Sequence, residues 1–175
     1  MISLVITLVG PDRPGIVGIV ADSVRQSGGN WLESRMAHLA GEFAGIVLVE
    51  VDDGGVDALI ASINQLNQHG LRVIVQQDQS SAAAPVVAGI AATVRVMGTD
   101  RPGIVREVTQ VLAAHQVNVE ELTTNCTVAP MSGGRVFHAS IRLSIPSGVS
   151  LPVLQDQLEQ IAADLMVEID LTSGE

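Results

Sequence analysis

Gly10-Pro-Asp-Arg-Pro-Gly-Ile-Val17 returns as Gly98-Thr-Asp-Arg-Pro-Gly-Ile-Val105, with seven of eight residues unchanged after 88 positions. A repeat this close means that one architecture is built twice along the chain. Working outward, Asn30 falls on Asn118 at the same spacing. Beyond that the spacing grows to 94: Phe43 meets Phe137, Val47-Leu-Val-Glu-Val51 meets Ile141-Arg-Leu-Ser-Ile145, and Leu71-x-Val73-x-Val75 meets Leu165-x-Val167-x-Ile169. The six extra residues fit a longer loop around Ala129-Pro-Met-Ser-Gly-Gly134. Asp78-Gln-Ser-Ser-Ala-Ala-Ala-Pro85 reads as a linker by composition. The expected organisation is a first domain at 1–77, a linker at 78–89 and a second domain at 90–172. Charge divides evenly too, with four Arg and nine acids before Ala88 and five Arg and ten acids after it.

Each unit reads alike. Ser3 to Val9 is a short aliphatic strand. Residues 15–27 put Ile16, Val17, Ile19, Val20 and Val24 on one helical face. Asn30 to Leu39 and Phe43 to Val51 flank the turn Ala40-Gly-Glu42 and predict a hairpin. Val56, Leu59, Ile60, Ile63 and Leu66 have helical spacing, and Gly70 suits the position after that helix. Leu71 to Gln77 closes the unit as a strand. The second unit repeats the order, with helices near 103–115 and 151–163. The order βαββαβ predicts an α+β fold of two ferredoxin-like units, each a four-stranded antiparallel sheet with two helices on one face.

Composition narrows the function. The 175 residues carry 9 basic and 19 acidic side chains, a formal net charge of −10, and every basic residue is Arg. Phosphate backbones and anionic membranes call for a basic footprint, so direct nucleic-acid or membrane binding is disfavoured. Aromatics make up 2%, so the core must be aliphatic and base-stacking platforms are scarce. The single cysteine, Cys126, excludes an internal disulfide framework and falls mid-strand, where a buried inert thiol is expected. No basic-then-apolar leader opens the chain, and neither Phe43 to Val49 nor Ala82 to Val94 is long and uninterrupted enough to span a bilayer. These features predict a soluble cytoplasmic protein. His38, His69, His115 and His138 lack metal-ligand spacing, no nucleophile–base arrangement stands out, and no cofactor fingerprint is present. A metal-free, cofactor-free, non-catalytic protein is expected.

The repeated element joins a first strand to a first helix. Read physically, Asp12 and Asp100 can cap helix N–H groups, Pro14 and Pro102 suit a first turn, and Gly15 and Gly103 allow a close neighbour. Bare turn chemistry accounts for these residues as well as a site does. On the functional alternative, the exposed N–H groups and positive dipole end hold a carboxylate.

Asp-Arg-Pro-Gly-Ile-Val between strand and helix, with an Asn some fifteen residues on in a βαββαβ unit, resembles the ACT domain. The resemblance covers nearly the whole chain, twice. It implies a module that senses small molecules, usually amino acids. A free-standing pair, with Asn30-Trp-Leu-Glu-Ser-Arg-Met36 and Gly41-Glu-Phe-Ala-Gly45 in its hairpin, is similar to the tandem ACT regulators of glycine cleavage. That similarity implies a small amino-acid ligand, glycine among the candidates, and a protein partner such as a transcription activator. Ligands of the family lie where two units meet, which implies contacts from Asp12, Arg13, Gly15 and Asn30 and from Asp100, Arg101, Gly103 and Asn118. A ligand-free interaction module is the competing reading.

Strand alternation also sorts the sheet faces. Leu4, Ile6, Leu8, Val47, Val49 and Val51 should face the first unit's helices, leaving Val5, Thr7, Val9, Ile46, Leu48 and Glu50 opposite. In the second unit Ala92, Val94, Val96, Ile141, Leu143 and Ile145 should face helices, leaving Thr93, Arg95, Met97, Ser140, Arg142 and Ser144. An aliphatic open face asks for a cover, and a homodimer is the expected one, with residues 82–91 folding across it as the alternative.

Overall fold

In a computed structural model, residues 1–78, 89–129 and 133–173 are described. Most of the expected linker (79–88), the tip of the long hairpin loop (130–132) and the possible cover at 82–88 lie outside the described residues. The chain forms two compact units, Met1–Ala84 and Pro85–Glu175. Each has its own core, aliphatic in the first unit and aliphatic with one aromatic, Phe137, in the second.

The first unit runs β1 (Ile2–Pro11), α1 (Ile16–Gln26), β2 (Asn30–Leu39), β3 (Glu42–Val51), α2 (Val56–Gln65), a single 3-10 turn over Leu66–His69, and β4 (Arg72–Gln77). The second runs β5 (Ile90–Thr99), α3 (Ile104–Ala114), β6 (Asn118–Val128), β7 (Arg135–Ile145), α4 (Leu151–Leu165) and β8 (Val167–Ser173). Strand orders are β2-β3-β1-β4 and β6-β7-β5-β8, antiparallel throughout. This is the ferredoxin-like βαββαβ fold, made twice.

Burial follows the alternation read from the strands. Every residue expected on the helix-facing sides of the two sheets is buried. Burying an aliphatic side chain of this size is worth about 1.5–3 kcal/mol, so a one-residue register slip would be heavily penalised. In α1 the buried stripe is Ile16, Val20 and Val24, while Val17 points outward at 45% exposure. The expected five-residue face was therefore too wide.

The hairpins explain most of the length difference. Ala40 and Gly41 make a two-residue turn with φ of 51° and 83°, both left-handed, as a tight antiparallel turn requires. In the second unit β6 and β7 are each one residue longer than β2 and β3, and a six-residue connection joins them. A bulge interrupts β2 between Trp31 and Glu33 and β6 between Val119 and Glu121, so even this irregularity is duplicated.

One part of the repeat alignment needs correcting. Leu8 pairs with Val73, and its counterpart Val96 pairs with Ile169. The last strands are therefore 96 residues apart, not 94 (169 − 73). Because side chains alternate with period two, a shift of two residues keeps the same apolar face and leaves no trace in the pattern.

Candidate functional site

The loop after β1 is held on two sides. Toward the hairpin, the Asp12 backbone N–H donates to Gly41 O at 2.8 Å, and the Asp12 carboxylate lies 3.7 Å from His38 Nδ1. Toward the second helix, the Arg13 guanidinium donates to His69 O at 2.7 Å. The second unit repeats both fastenings. Asp100 N–H donates to Arg135 O at 2.9 Å, its carboxylate meets Arg135 Nε at 3.2 Å, and Arg101 donates to Asp164 O at 2.6 Å. Each acidic residue and the arginine beside it therefore face different partners.

This geometry corrects three expectations. Asp12 and Asp100 do not cap their helices: neither α1 nor α3 has a side-chain cap, and Gly15 and Gly103 occupy the cap positions. Pro14 and Pro102 precede those caps, outside the helices, where their fixed φ stiffens the turn. The glycines serve backbone conformation, not close approach. Gly15 has φ 93° and Gly103 φ 103°, and a Cβ on Gly15 would meet nothing within 4 Å. Close approach belongs to the first glycine of each motif. A Cβ on Gly10 would lie 2.6 Å from Gly70 O, and one on Gly98 would lie 2.7 Å from Val167 Cα.

A left-handed glycine leads into each helix, and the first-turn N–H groups of α1 and α3 have no side-chain cap. Such a terminus suits an anion. The two differ in charged residues: the first turn of α1 has none, and that of α3 carries both Arg106 and Glu107. Glu107 Oε1 lies 3.9 Å from a Cβ built on Gly103.

Asn30 and Asn118 are exposed and begin β2 and β6. They do not join the loops of their own units. Asn30 faces Glu50, which faces Ser3, while the loop leaves the far end of β1 beyond Gly10. Ser3 and Gly10 are seven residues apart, roughly 23 Å at the strand rise. Asn118 is displaced from Asp100 and Gly103 in the same way, through Ser144 and Ala91.

Sequence reasoning missed His38 and Arg135 as partners of the loop aspartates, and the carbonyls of His69 and Asp164 as partners of the arginines. Nothing in the spacing marks them, because strand register and helix length set these contacts. Cys126 is exposed, not buried, since β6 is an edge strand exposed along its whole length. Among the described residues, no three His, Cys, Asp or Glu group as metal ligands, and no helix is long and apolar enough to cross a membrane. Concavities lie on the open sheet faces: about 330 Å³ beside Arg95, Met97, Thr123, Asn125, His138 and Ser140, and about 190 Å³ beside Glu33, Arg35, Ile46 and Leu48.

Fold and site together define a duplicated ferredoxin-like module with a glycine-turned, uncapped helix start in each copy. The chain belongs to the ACT domain family, whose models match residues 3–76 and 92–163, so it carries two ACT domains in tandem. It is 26% identical over 162 residues to the glycine cleavage system transcriptional repressor of Escherichia coli K12, covering 93% of this chain and 85% of that protein. A protein of the same name from Shigella flexneri matches to the same extent. Among solved structures, a protein from Galdieria sulphuraria described as unknown superposes with a TM-score of 0.88 at 29% identity, over 99% of both chains. Another, provisionally assigned as a glycine cleavage system transcriptional repressor, superposes with a TM-score of 0.72 at 27% identity, over 99% of this chain and 98% of that one.

Proposed function

We propose that this chain is a regulatory protein that binds a small amino acid, glycine foremost, and modulates a transcription-activator protein. The observation that carries the reading is the uncapped start of α1, entered through the left-handed Gly15 and free of acidic residues in its first turn. Backbone N–H groups there suit the ligand's carboxylate, and an Asn amide, which both donates and accepts, suits the remainder of a zwitterion. Similarity to the named repressors over most of the chain supports regulation of glycine cleavage as the setting. With a net charge of −10, the regulator acts through a protein and not by gripping DNA.

Since loop and Asn stand at opposite ends of one sheet, a site using both takes the loop of one chain and the Asn of a second copy. The framing residues are Asp12, Arg13 and Gly15 with a second copy's Asn30, and Asp100, Arg101 and Gly103 with a second copy's Asn118. Homodimerisation supplies one such arrangement. For the second unit, Glu107 beside the helix start favours the other reading, a ligand-free interaction module, because it sets a carboxylate against a carboxylate ligand.

Isothermal calorimetry of the full chain against the twenty amino acids tests the proposal. Saturable binding of glycine or a close homologue is expected, weakened about tenfold or more in Asn30→Ala or Asn118→Ala by loss of a charged hydrogen bond. No binding by any amino acid, or turnover of one, refutes it.

A further inference from the structure

Arg13 and Arg101 are adjacent to the loop aspartates and would ordinarily be assigned to the ligand's carboxylate. The structure gives them other work. In both units the guanidinium donates to a carbonyl in the last two residues of the second helical segment, at 2.7 Å to His69 O and 2.6 Å to Asp164 O. These bonds span 56 and 63 residues of sequence, so each joins distant parts of the unit. A helix C-terminus ends in unpaired carbonyls with partial negative charge, and a guanidinium is a matched donor for them. The base of each loop also packs on the turn that follows, since Gly10 lies against Gly70 and Leu71, and Gly98 against Met166 and Val167. Packing and hydrogen bonding thus converge on one junction, independently, in two copies whose second helices differ in length.

We propose that Arg13 and Arg101 are positioning residues that clasp the ligand-binding loop to the end of the second helix, and that they do not contact the ligand's carboxylate. Loop and helix end then move as one body, and a ligand that settles the loop also settles the junction with the last strand. The assignment of a carboxylate ligand rests on the function proposed above; the clasp itself does not.

Two readouts on the full chain separate these. Without ligand, amide hydrogen exchange in Arg13→Ala should quicken several-fold both at residues 12–18 and at residues 66–72, with Leu4 to Leu8 unchanged and Arg13→Lys intermediate. Arg101→Ala should do the same at 100–106 and 162–167. Unchanged exchange at either end of the bond overturns the clasp whatever the ligand is. With ligand, glycine and glycinamide are compared by calorimetry. A positioning role weakens both probes by a similar factor in Arg13→Ala. Contact with the carboxylate would weaken glycine about tenfold or more while sparing glycinamide, and that result overturns the proposal. If neither probe binds the unaltered chain, the sensing reading fails while hydrogen exchange still decides the clasp.

Discussion

Replacing Gly15 and Gly10 by Ala and by Asn separates two reasons for a glycine. At Gly15 the reason is φ 93° with open space around the missing Cβ, so the cost is in the backbone alone. Forcing an L-residue into the left-handed region costs about 1–2 kcal/mol, and Asn enters it more readily than Ala. Gly15→Asn should therefore be the milder variant, although it is larger. At Gly10 the reason is contact: a Cβ would sit 2.6 Å from Gly70 O and 3.0 Å from Leu71 Cδ2. Overpacking against fixed backbone costs about 1–3 kcal/mol and grows with size, so Gly10→Asn should be worse than Gly10→Ala. Trp31, the chain's one tryptophan, lies on β2 and reports the first unit by fluorescence during urea unfolding. With a slope of about 1 kcal/mol per molar urea for a unit of this size, Gly15→Ala should lower the midpoint by about 1–2 M. A Gly15→Asn variant less stable than Gly15→Ala would show that crowding, not φ, selects this glycine, and would refute the account of the turn.

The open face of the first sheet exposes Ile46 at 53% and Ile74 at 61%, and on the proposed homodimer it is the association surface. Changing both to Glu should shift light-scattering mass toward monomer, while Ser140 and Ser144 to Glu should not; an unaltered oligomer removes this face from the interface. At α3, Glu107→Gln removes a negative charge from a helix start and should strengthen carboxylate binding at the second loop several-fold, read by calorimetry in an Asn30→Ala background. No gain there means that the second loop takes no anion. The purified chain should give no salt-sensitive shift of duplex DNA in a gel, and a specific shift without a partner would overturn action through a protein.

The sheet faces were legible because alternation is a property of the strand itself: Leu4, Ile6 and Leu8 are buried whatever lies elsewhere. The same periodicity hid the two-residue displacement of β8, which alters which residues meet and not which side they face. Cys126 was misplaced because nothing local distinguishes an edge strand from a central one. The motif was legible as a strand-to-helix junction, but its internal roles were not. Asp12 is a residue type favoured at helix caps, and only the hairpin's position, with Gly41 and His38 beside the loop, shows it fastened elsewhere. Local rules rank what a residue can do, whereas tertiary neighbours decide which option is taken.

The distance between loop and Asn then constrains how the chain can sense anything. One ACT unit cannot close a site from both, because α1 carries the chain back along the sheet before β2 begins. On the proposed homodimer, a second copy of the chain supplies the Asn that each loop lacks. On the proposed reading, ligand is bound between two copies of the chain, so its affinity depends on how the copies associate and its binding in turn favours that association. A binding event at a rigid single-unit pocket would have no such leverage.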